Sequence, residues 1–320
     1  MTKGSSTRPW KLFTWPRVGV VDVGSNAIRL TIAEVSTTEI REIGSQRFSL
    51  RLGNDVFNNG RTLSSRTQSN LVDIFVEIKK IFLEHKVSMY RCVATSALRS
   101  ARNRWRVLKR IERESGLQIE LISPLEEGRL IGASLPRKHF ANKELLMDLG
   151  GGSLELAYFE NKETVSITSL PLGAVRLLSR RHIFDPNLLC NHIATLCEKD
   201  PFLKKMLRRK KAPLYLVGSG GNIRALYRMR KRILHKAFAA NPVMTLSDIR
   251  AIIQKIEMMS TRQRETELKL AKDRADVILP AAYVFAEVMT YLGEEKIHVP
   301  MTVSLRQGVL ADLQQKLFVV

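Results

Sequence analysis

Two short stretches of this chain each set a carboxylate beside a glycine turn: VVDVGSNAIRL, Val20 to Leu30, and MDLGGGSLEL, Met147 to Leu156. Gly24 lets the backbone reverse where a Cβ would crowd it, and Ser25 and Asn26 add donors beside exposed N–H groups, the environment an anionic phosphate needs. Asp22, at the end of the incoming strand, would repel that phosphate unless a divalent cation stood between them, so it is a candidate metal or water ligand. In the second stretch Asp148 repeats the position of Asp22. Gly150, Gly151 and Gly152 follow in succession, a costly choice inside a fold unless something must approach the backbone closely. Ser153 repeats the hydroxyl, and Glu155 has the strand parity of Ser153, so its side chain can share the face of the turn. A third cluster, VGSGGN (Val217 to Asn222), places Gly220 and Gly221 between a strand and a helix whose N-terminus can hold an anion. Each turn alone also fits an ordinary reversal of the chain. Three together favour a phosphate site.

Two further stretches carry polar groups of the right type. ATSALRSARN, Ala94 to Asn103, puts Thr95 and Ser96 at a strand end with Arg99 and Arg102 just beyond, hydroxyl and guanidinium groups suited to phosphate oxygens. An ordinary helix cap accounts for them equally. ISPLEEGRL places Glu126 and Glu127 in the first turn of a helix, where carboxylates interact well with the helix dipole whether or not they do chemistry.

The elements that must position these groups follow from periodicity. From Val18 the pattern is strand, turn, strand, with Ile28, Leu30 and Ile32 alternating against Arg29 and Thr31. RLGNDVFNNGR (Arg51 to Arg61) is polar and reads as turns. A helix is predicted from about Ser65 to His85, where Leu71, Ile74, Phe75, Ile78, Ile81 and Phe82 recur at helical spacing. YRCVATS, Arg102 to Ser115 and LQIELIS read as strand, helix, strand; Gly116 stops that helix and Pro124 starts the next. A second strand-turn-strand unit begins at Glu144. It is followed by a helix from about Pro186 to Lys210, the strand PLYLVGS, a basic helix, a helix over Ser247 to Met259, the helical RADVILPAAYVFAEVMTYL, and finally KIHV and SLRQGVLADLQQKL. Strands alternating with helices predict an α/β protein, and two halves each opened by a hairpin predict two similar lobes.

A length of 320 residues favours two domains. Hydrophobic residues at 44% and charged residues at 26% fit a globular protein. No uncharged run approaches the roughly 18 apolar residues of a membrane span, so no contact with a membrane is expected. The opening MTKGSSTRPWKLFTWPR lacks the apolar core and cleavage site of a secretory signal and reads as a basic docking arm over residues 1–16. Cys92, Cys190 and Cys197 neither pair completely nor show zinc-site spacing, which favours a reducing cytoplasm. The net charge of +21 favours a polyanionic partner. Its densest stretches are KKMLRRKK (Lys204 to Lys211) and RALYRMRKRILHK (Arg224 to Lys236); the second forms a rail if it borders a cleft and a solvated helix face if it does not. The lack of a helix-turn-helix, zinc finger or aromatic ribonucleoprotein motif counts against nucleic acid.

In order, VGVVDVGSNAIRL, VATSALRSARN, LISPLEEGRLIG, LLMDLGGGSLEL, SLPLGAVRL, LVGSGGN and VSLRQGVL resemble the motif series of the exopolyphosphatase and guanosine pentaphosphate phosphohydrolase (Ppx/GppA) family from about Val18 to Leu310. The resemblance implies the two-lobed α/β fold of the actin-like ATPase and sugar kinase superfamily, with a phosphate-binding cleft between the lobes. It implies lobe I over 17–126, with 306–320 packing back on it, lobe II over 127–305, and a homodimer. It further implies metal-assisted hydrolysis of a terminal phosphoanhydride, with polyphosphate as the expected substrate; the phosphorylated guanosine nucleotide pppGpp and a non-catalytic polyanion-binding regulator are the alternatives. On that pattern Glu127 handles the attacking water and Arg99 clamps charge. Asp148, Glu155 and Asp22 hold Mg²⁺ or Mn²⁺, while Gly24, Ser25, Asn26, Gly150, Gly151, Gly152, Ser153, Gly220, Gly221 and Arg306 bind phosphate. Pro124, Asn222 and Gln307 depart from the family's usual Gly, Thr and Glu, which bears on rate.

Overall fold

The computed structural model describes residues 15–58, 60–135, 143–161, 163–179, 185–208 and 214–318. Most of the expected N-terminal arm, residues 1–14, and part of the basic run from Lys204 to Lys211 lie outside them. The first half contains β1 (Arg17–Val23), β2 (Ile28–Val35), β3 (Ile40–Phe48), α1 (Leu52–Asn58), α2 (Ser65–Glu84), β4 (Met89–Ala94), α3 (Ser96–Ser100), α4 (Arg104–Ser115), β5 (Ile119–Leu121) and α5 (Pro124–Ala133). The second contains β6 (Lys143–Leu149), β7 (Leu154–Glu160), β8 (Glu163–Leu170), α6 (Ala174–Ser179), α7 (Pro186–Lys199), α8 (Pro201–Arg208), β9 (Tyr215–Ser219), α9 (Gly220–Ile233), β10 (Val243–Thr245), α10 (Leu246–Glu257), α11 (Thr261–Thr266), α12 (Lys272–Ala275), α13 (Ile278–Leu292), β11 (Lys296–His298) and α14 (Leu305–Phe318).

The strands form two sheets, ordered β3-β2-β1-β4-β5 and β10-β11-β9-β6-β7-β8. Their centres are built alike. β1 pairs antiparallel with β2 and parallel with β4, and β6 pairs antiparallel with β7 and parallel with β9. Register is equivalent at the turns: Asp22 lies opposite Arg29, and Asp148 opposite Glu155. Both reversals close the same way, Gly24 N–H donating to Ala27 O at 3.1 Å and Gly150 N–H to Ser153 O at 3.0 Å.

Strand alternation distributes apolar side chains to three cores. Val21 and Val23 of β1 join Phe75, Ile78 and Phe82 of α2, while Met147 and Leu149 of β6 join Phe285 of α13. The opposite faces, Val18 and Val20 of β1 and Leu146 of β6, meet Leu130 of α5 and Val309 of α14 in a core shared by both sheets. Gly308 permits that meeting, since a Cβ there would lie 1.7 Å from Leu130 O.

Two sequence expectations need correction. Arg51 to Arg61 is not all turn: Leu52, Gly53 and Val56 are buried and the chain forms α1, a helix too short for its periodicity to stand out. The helix expected from Pro186 to Lys210 is two helices. Pro201 has no N–H for the i−4 carbonyl, and Asp200 starts α8 by accepting from the N–H groups of Phe202 and Leu203, each at 3.0 Å. The segment Lys272–Leu292 has the length and apolar composition of a membrane span, but 67% of its apolar window is buried inside the protein, as expected of a core helix.

Candidate active site

The turns after β1 and β6 face each other across a cavity of about 100 Å³, lined also by Thr95 and Ser96 just beyond β4 and by the starts of α5, α9 and α14. That volume holds several waters or one tetrahedral anion. The structure brings Asp22, Gly24, Ser25, Asn26, Glu127, Asp148, Gly150, Gly151, Gly152, Ser153, Gly220, Gly221 and Arg306 to its walls. Thus the carboxylates from three separate stretches converge on one space.

Two glycines shape turns rather than donate, because the N–H groups of Gly24 and Gly150 are held within their own reversals. The reading that the triple glycine leaves room for a ligand is also incomplete. A Cβ on Gly152 would lie 2.5 Å from Ser96 Oγ and 2.7 Å from Ser25 Oγ, and one on Gly151 3.0 Å from Ser25 Cβ, so it is the other half of the protein that comes close. Gly173 in turn comes so near Gly152 that a Cβ would sit 2.2 Å from its backbone. Ser25 Oγ, buried at this junction, has no hydrogen-bond partner among the described residues.

The two glutamates opening α5 are sorted by direction. Ser123 caps the helix, accepting from Glu126 N–H at 3.1 Å, and Pro124 occupies the first turn, where its missing N–H is no loss. Glu126 faces Arg91 and Arg129, whose guanidinium groups hold its carboxyl down at about 2. Glu127 is buried in the cavity wall, with Arg99 Nη1 at 3.2 Å from its Oε2. Arg99 also donates to Ile122 O at 2.7 Å and does not itself line the cavity. The clamp expected there is instead a support for Glu127.

Glu155 likewise sits behind the wall, accepting from Ser169 Oγ at 3.0 Å, with its buried Oε2 without a hydrogen-bond partner among the described residues. The expected trio Asp22, Asp148 and Glu155 does not gather as a metal cage: among the described residues no group of three or more Asp, Glu, His or Cys is arranged to hold a metal ion. Asp22 and Asp148 remain the two acids at the wall with the best case as ligands. Mg²⁺ commonly takes one or two carboxylates and completes its shell with water and substrate phosphate, and this pair fits that demand.

Burial raises all four carboxyl groups. For Glu127 desolvation is the largest cause, followed by the like charge of Glu155, with Arg99 opposing. Glu155 is raised by desolvation and by Asp148, against the hydroxyls of Ser153 and Ser169. Desolvation also raises Asp148, against Ser219 and Arg224, and Asp22, against Arg29 and Arg306.

Arg29, Arg224 and Arg274 line the cavity together with Arg306, the one of the four that the family resemblance implies as a phosphate ligand. Arg29 Nη1 lies 3.5 Å from Asp22, Arg224 donates to Met301 O at 2.8 Å and Arg274 to Gly221 O at 2.7 Å, while Arg306 is bonded to Thr31. Burial and then neighbouring guanidinium groups push Arg274 down to about 10, and Arg224 reaches about 10 for the same reasons although Asp148 opposes. Both stay protonated at neutral pH. Of the expected basic rail, Arg224 reaches the cavity; Arg230 and Lys236 instead neutralise buried Asp248.

The cavity is tied across the two halves by Arg51. Its guanidinium meets Asp276 Oδ2 at 2.5 Å and Oδ1 at 2.9 Å, donates to Asp273 O at 2.7 Å and to Asn26 Oδ1 at 2.6 Å. Asn26 Nδ2 donates to Asp273 O at 2.8 Å, so its side chain serves this clasp and not an anion. Arg47 is paired with Asp273. The family departures leave the cavity acids intact. Asn222 Nδ2 donates to Leu149 O at 2.9 Å, and Gln307 lies outside the lining, 3.4 Å from Glu42.

The model of the Ppx/GppA phosphatase family matches residues 31–317. Exopolyphosphatase 1 of Mycobacterium leprae is 28% identical over 304 residues, covering 92% of this chain and 88% of that protein. A solved Ppx/GppA family member from Aquifex aeolicus superposes with a TM-score of 0.74 at 26% identity, covering 95% of this chain and 99% of that one. An exopolyphosphatase from Cytophaga hutchinsonii superposes with a TM-score of 0.84 at 23% identity, covering 94% and 98%, a likeness of fold. The two-sheet α/β architecture is that of the solved Ppx/GppA family member.

Two outcomes follow for stability. Arg51→Ala and Asp276→Ala should each lower the urea midpoint, and the double variant should fall short of their sum by about 0.5–3 kcal/mol; additive losses would show that the pair does not act as a unit. Glu155→Gln should raise the melting temperature more at pH 8 than at pH 5. A carboxyl raised in the folded state favours folding below its unfolded value of about 4.3, and that advantage is lost as pH rises through the folded value. An equal effect at both pH values would contradict the raised state.

Proposed function

This chain belongs to the Ppx/GppA phosphatase family, and from that premise we propose that it hydrolyses the terminal phosphoanhydride of inorganic polyphosphate, with water as the nucleophile and orthophosphate as the product. The observation that carries this reading is the convergence of Asp22, Glu127 and Asp148 with four arginines on one small cavity between two glycine turns. Guanidinium groups held there in protein surroundings attract a multiply charged anion strongly, and transfer of a phosphoryl group to water needs positioning and charge neutralisation more than covalent chemistry.

In this reading the terminal phosphoryl group sits between the two turns, within reach of the unpartnered Ser25 hydroxyl and of Arg29, Arg224, Arg274 and Arg306. Asp22 and Asp148 would hold a Mg²⁺ ion, which when bound supplies positive charge against the phosphate oxygens. Glu127 orients the attacking water and accepts its proton. Its raised carboxyl suits it to that task near neutral pH, and Arg99 fixes its direction as a positioning residue. Burial keeps the Glu127 carboxyl raised, and the like charge of Glu155 adds to it.

Polyphosphate is favoured over a guanosine nucleotide because, among the described residues, no aromatic ring lines the cavity to stack on a base. The curated relative from Mycobacterium leprae is named an exopolyphosphatase, which agrees with that choice. Time-resolved phosphate release in Mg²⁺ buffer from polyphosphate and from pppGpp tests the reading. Polyphosphate should be turned over faster, and Glu127→Gln should lower kcat by about 10²–10⁴-fold. Full activity in that variant removes Glu127 from the chemistry, and comparable turnover of both substrates at moderate salt removes the preference.

A further inference from the structure

A second concave surface lies away from the cavity, between the first turn of α2, at Ser65, and the exposed face of α4. It encloses about 710 Å³, and α4 contributes Trp105, Arg106, Lys109, Arg110 and Arg113 to it. None of these residues lines the phosphate cavity. Arg110 and Arg113 share Glu114, at 2.9 and 3.0 Å, whereas Arg106 and Lys109 have no ion pair among the described residues. The groove therefore carries surplus positive charge. The start of the long helix α2 adds the partial positive charge of its N–H groups to the same wall.

Trp105 distinguishes this groove from a merely basic face. The residue is 61% exposed, with the Arg104 guanidinium 5.5 Å from the ring centroid. The core would readily bury an indole; here it stands in water among cations. Inorganic polyphosphate presents no apolar or aromatic surface for such a ring. A single-stranded nucleic acid presents both the charged backbone and unstacked bases, and aromatic platforms within basic grooves bind such strands without needing sequence.

We propose that the groove formed by α4 and the start of α2 is a binding site for single-stranded nucleic acid, with Trp105 stacking on a base and Arg106 and Lys109 contacting phosphates. The site is independent of the phosphatase reading. It also accounts for the absence of any motif in the sequence: the strand is held by one helix face and the start of another, brought together by folding.

Fluorescence anisotropy of the full chain with labelled oligo(U) and oligo(dT) of about twelve nucleotides, within the usual range for such grooves, tests the assignment. Inorganic polyphosphate of equal charge serves as the competing polyanion. Trp105→Ala should weaken both oligonucleotides about tenfold and leave polyphosphate binding unchanged, while Trp105→Phe retains most of the affinity. Arg106→Ala with Lys109→Ala should lower the slope of log affinity against log salt by about 1.4, two contacts at about 0.7 each. A difference between the two oligonucleotides assigns RNA or DNA as the ligand. An unchanged melting temperature confirms that the exposed substitutions leave the fold intact. Oligonucleotide binding indifferent to Trp105→Ala, or a groove that holds polyphosphate and no oligonucleotide, overturns the proposal.

Discussion

The constraint on which the structure turns is the burial of opposite charges in one small space. Asp22, Glu127 and Asp148 and the guanidinium groups of Arg29, Arg224, Arg274 and Arg306 share a cavity between two reversals of the backbone. No member of this set is tolerable there alone, because an unpaired buried charge is strongly destabilising. Together they leave acids raised and two arginines lowered to about 10, a charge balance that the proposed reaction would complete with a phosphate anion and Mg²⁺. The duplicated sheets set the distance: equivalent hairpins bring their turns face to face, and the shared core around Leu130 and Val309 fixes one half against the other.

Much of this was legible in the sequence, because hairpins and glycine turns are local. The alternation from Val18, the clusters at Gly24, Gly150 and Gly220, and the matched positions of Asp22 and Asp148 all depend on residues a few places apart. The division between Glu126 and Glu127 came from the family resemblance, which assigns the water to Glu127, and not from the residues themselves. Adjacent residues in the first turn of a helix differ by about 100° in direction, and only packing decides which one is buried. Arg29 and Arg274 were missed for a related reason. In a chain with 52 Lys and Arg residues, the few that fold inward carry no local mark, and Arg29 is fixed across from Asp22 by strand register alone. Glu155 shows the limit of parity: it has the correct strand face, yet it lies behind the wall, next to Glu127 and Ser169.

The glycines carry a similar lesson. Their succession announced that something approaches the backbone, and the structure identifies Ser25, Ser96 and Gly173 as what does so. A turn read as leaving room for phosphate is also the place where the halves touch. Joining the halves and shaping the cavity are one structural task, and Asn26 makes the link explicit by giving its side chain to Arg51 and the Asp273 carbonyl. The net positive charge divides accordingly between the inward arginines of the cavity, interhalf ties such as Arg51, and outward cations such as those of α4.

Locating a bound anion tests the central claim most directly. Crystals soaked in tungstate, a tetrahedral stand-in for orthophosphate that scatters anomalously, should show their strongest anomalous peak between the turns at residues 24–26 and 150–153, in contact with the cavity arginines. A cavity that stays without tungstate while the ion settles only on outer basic surfaces would contradict the account.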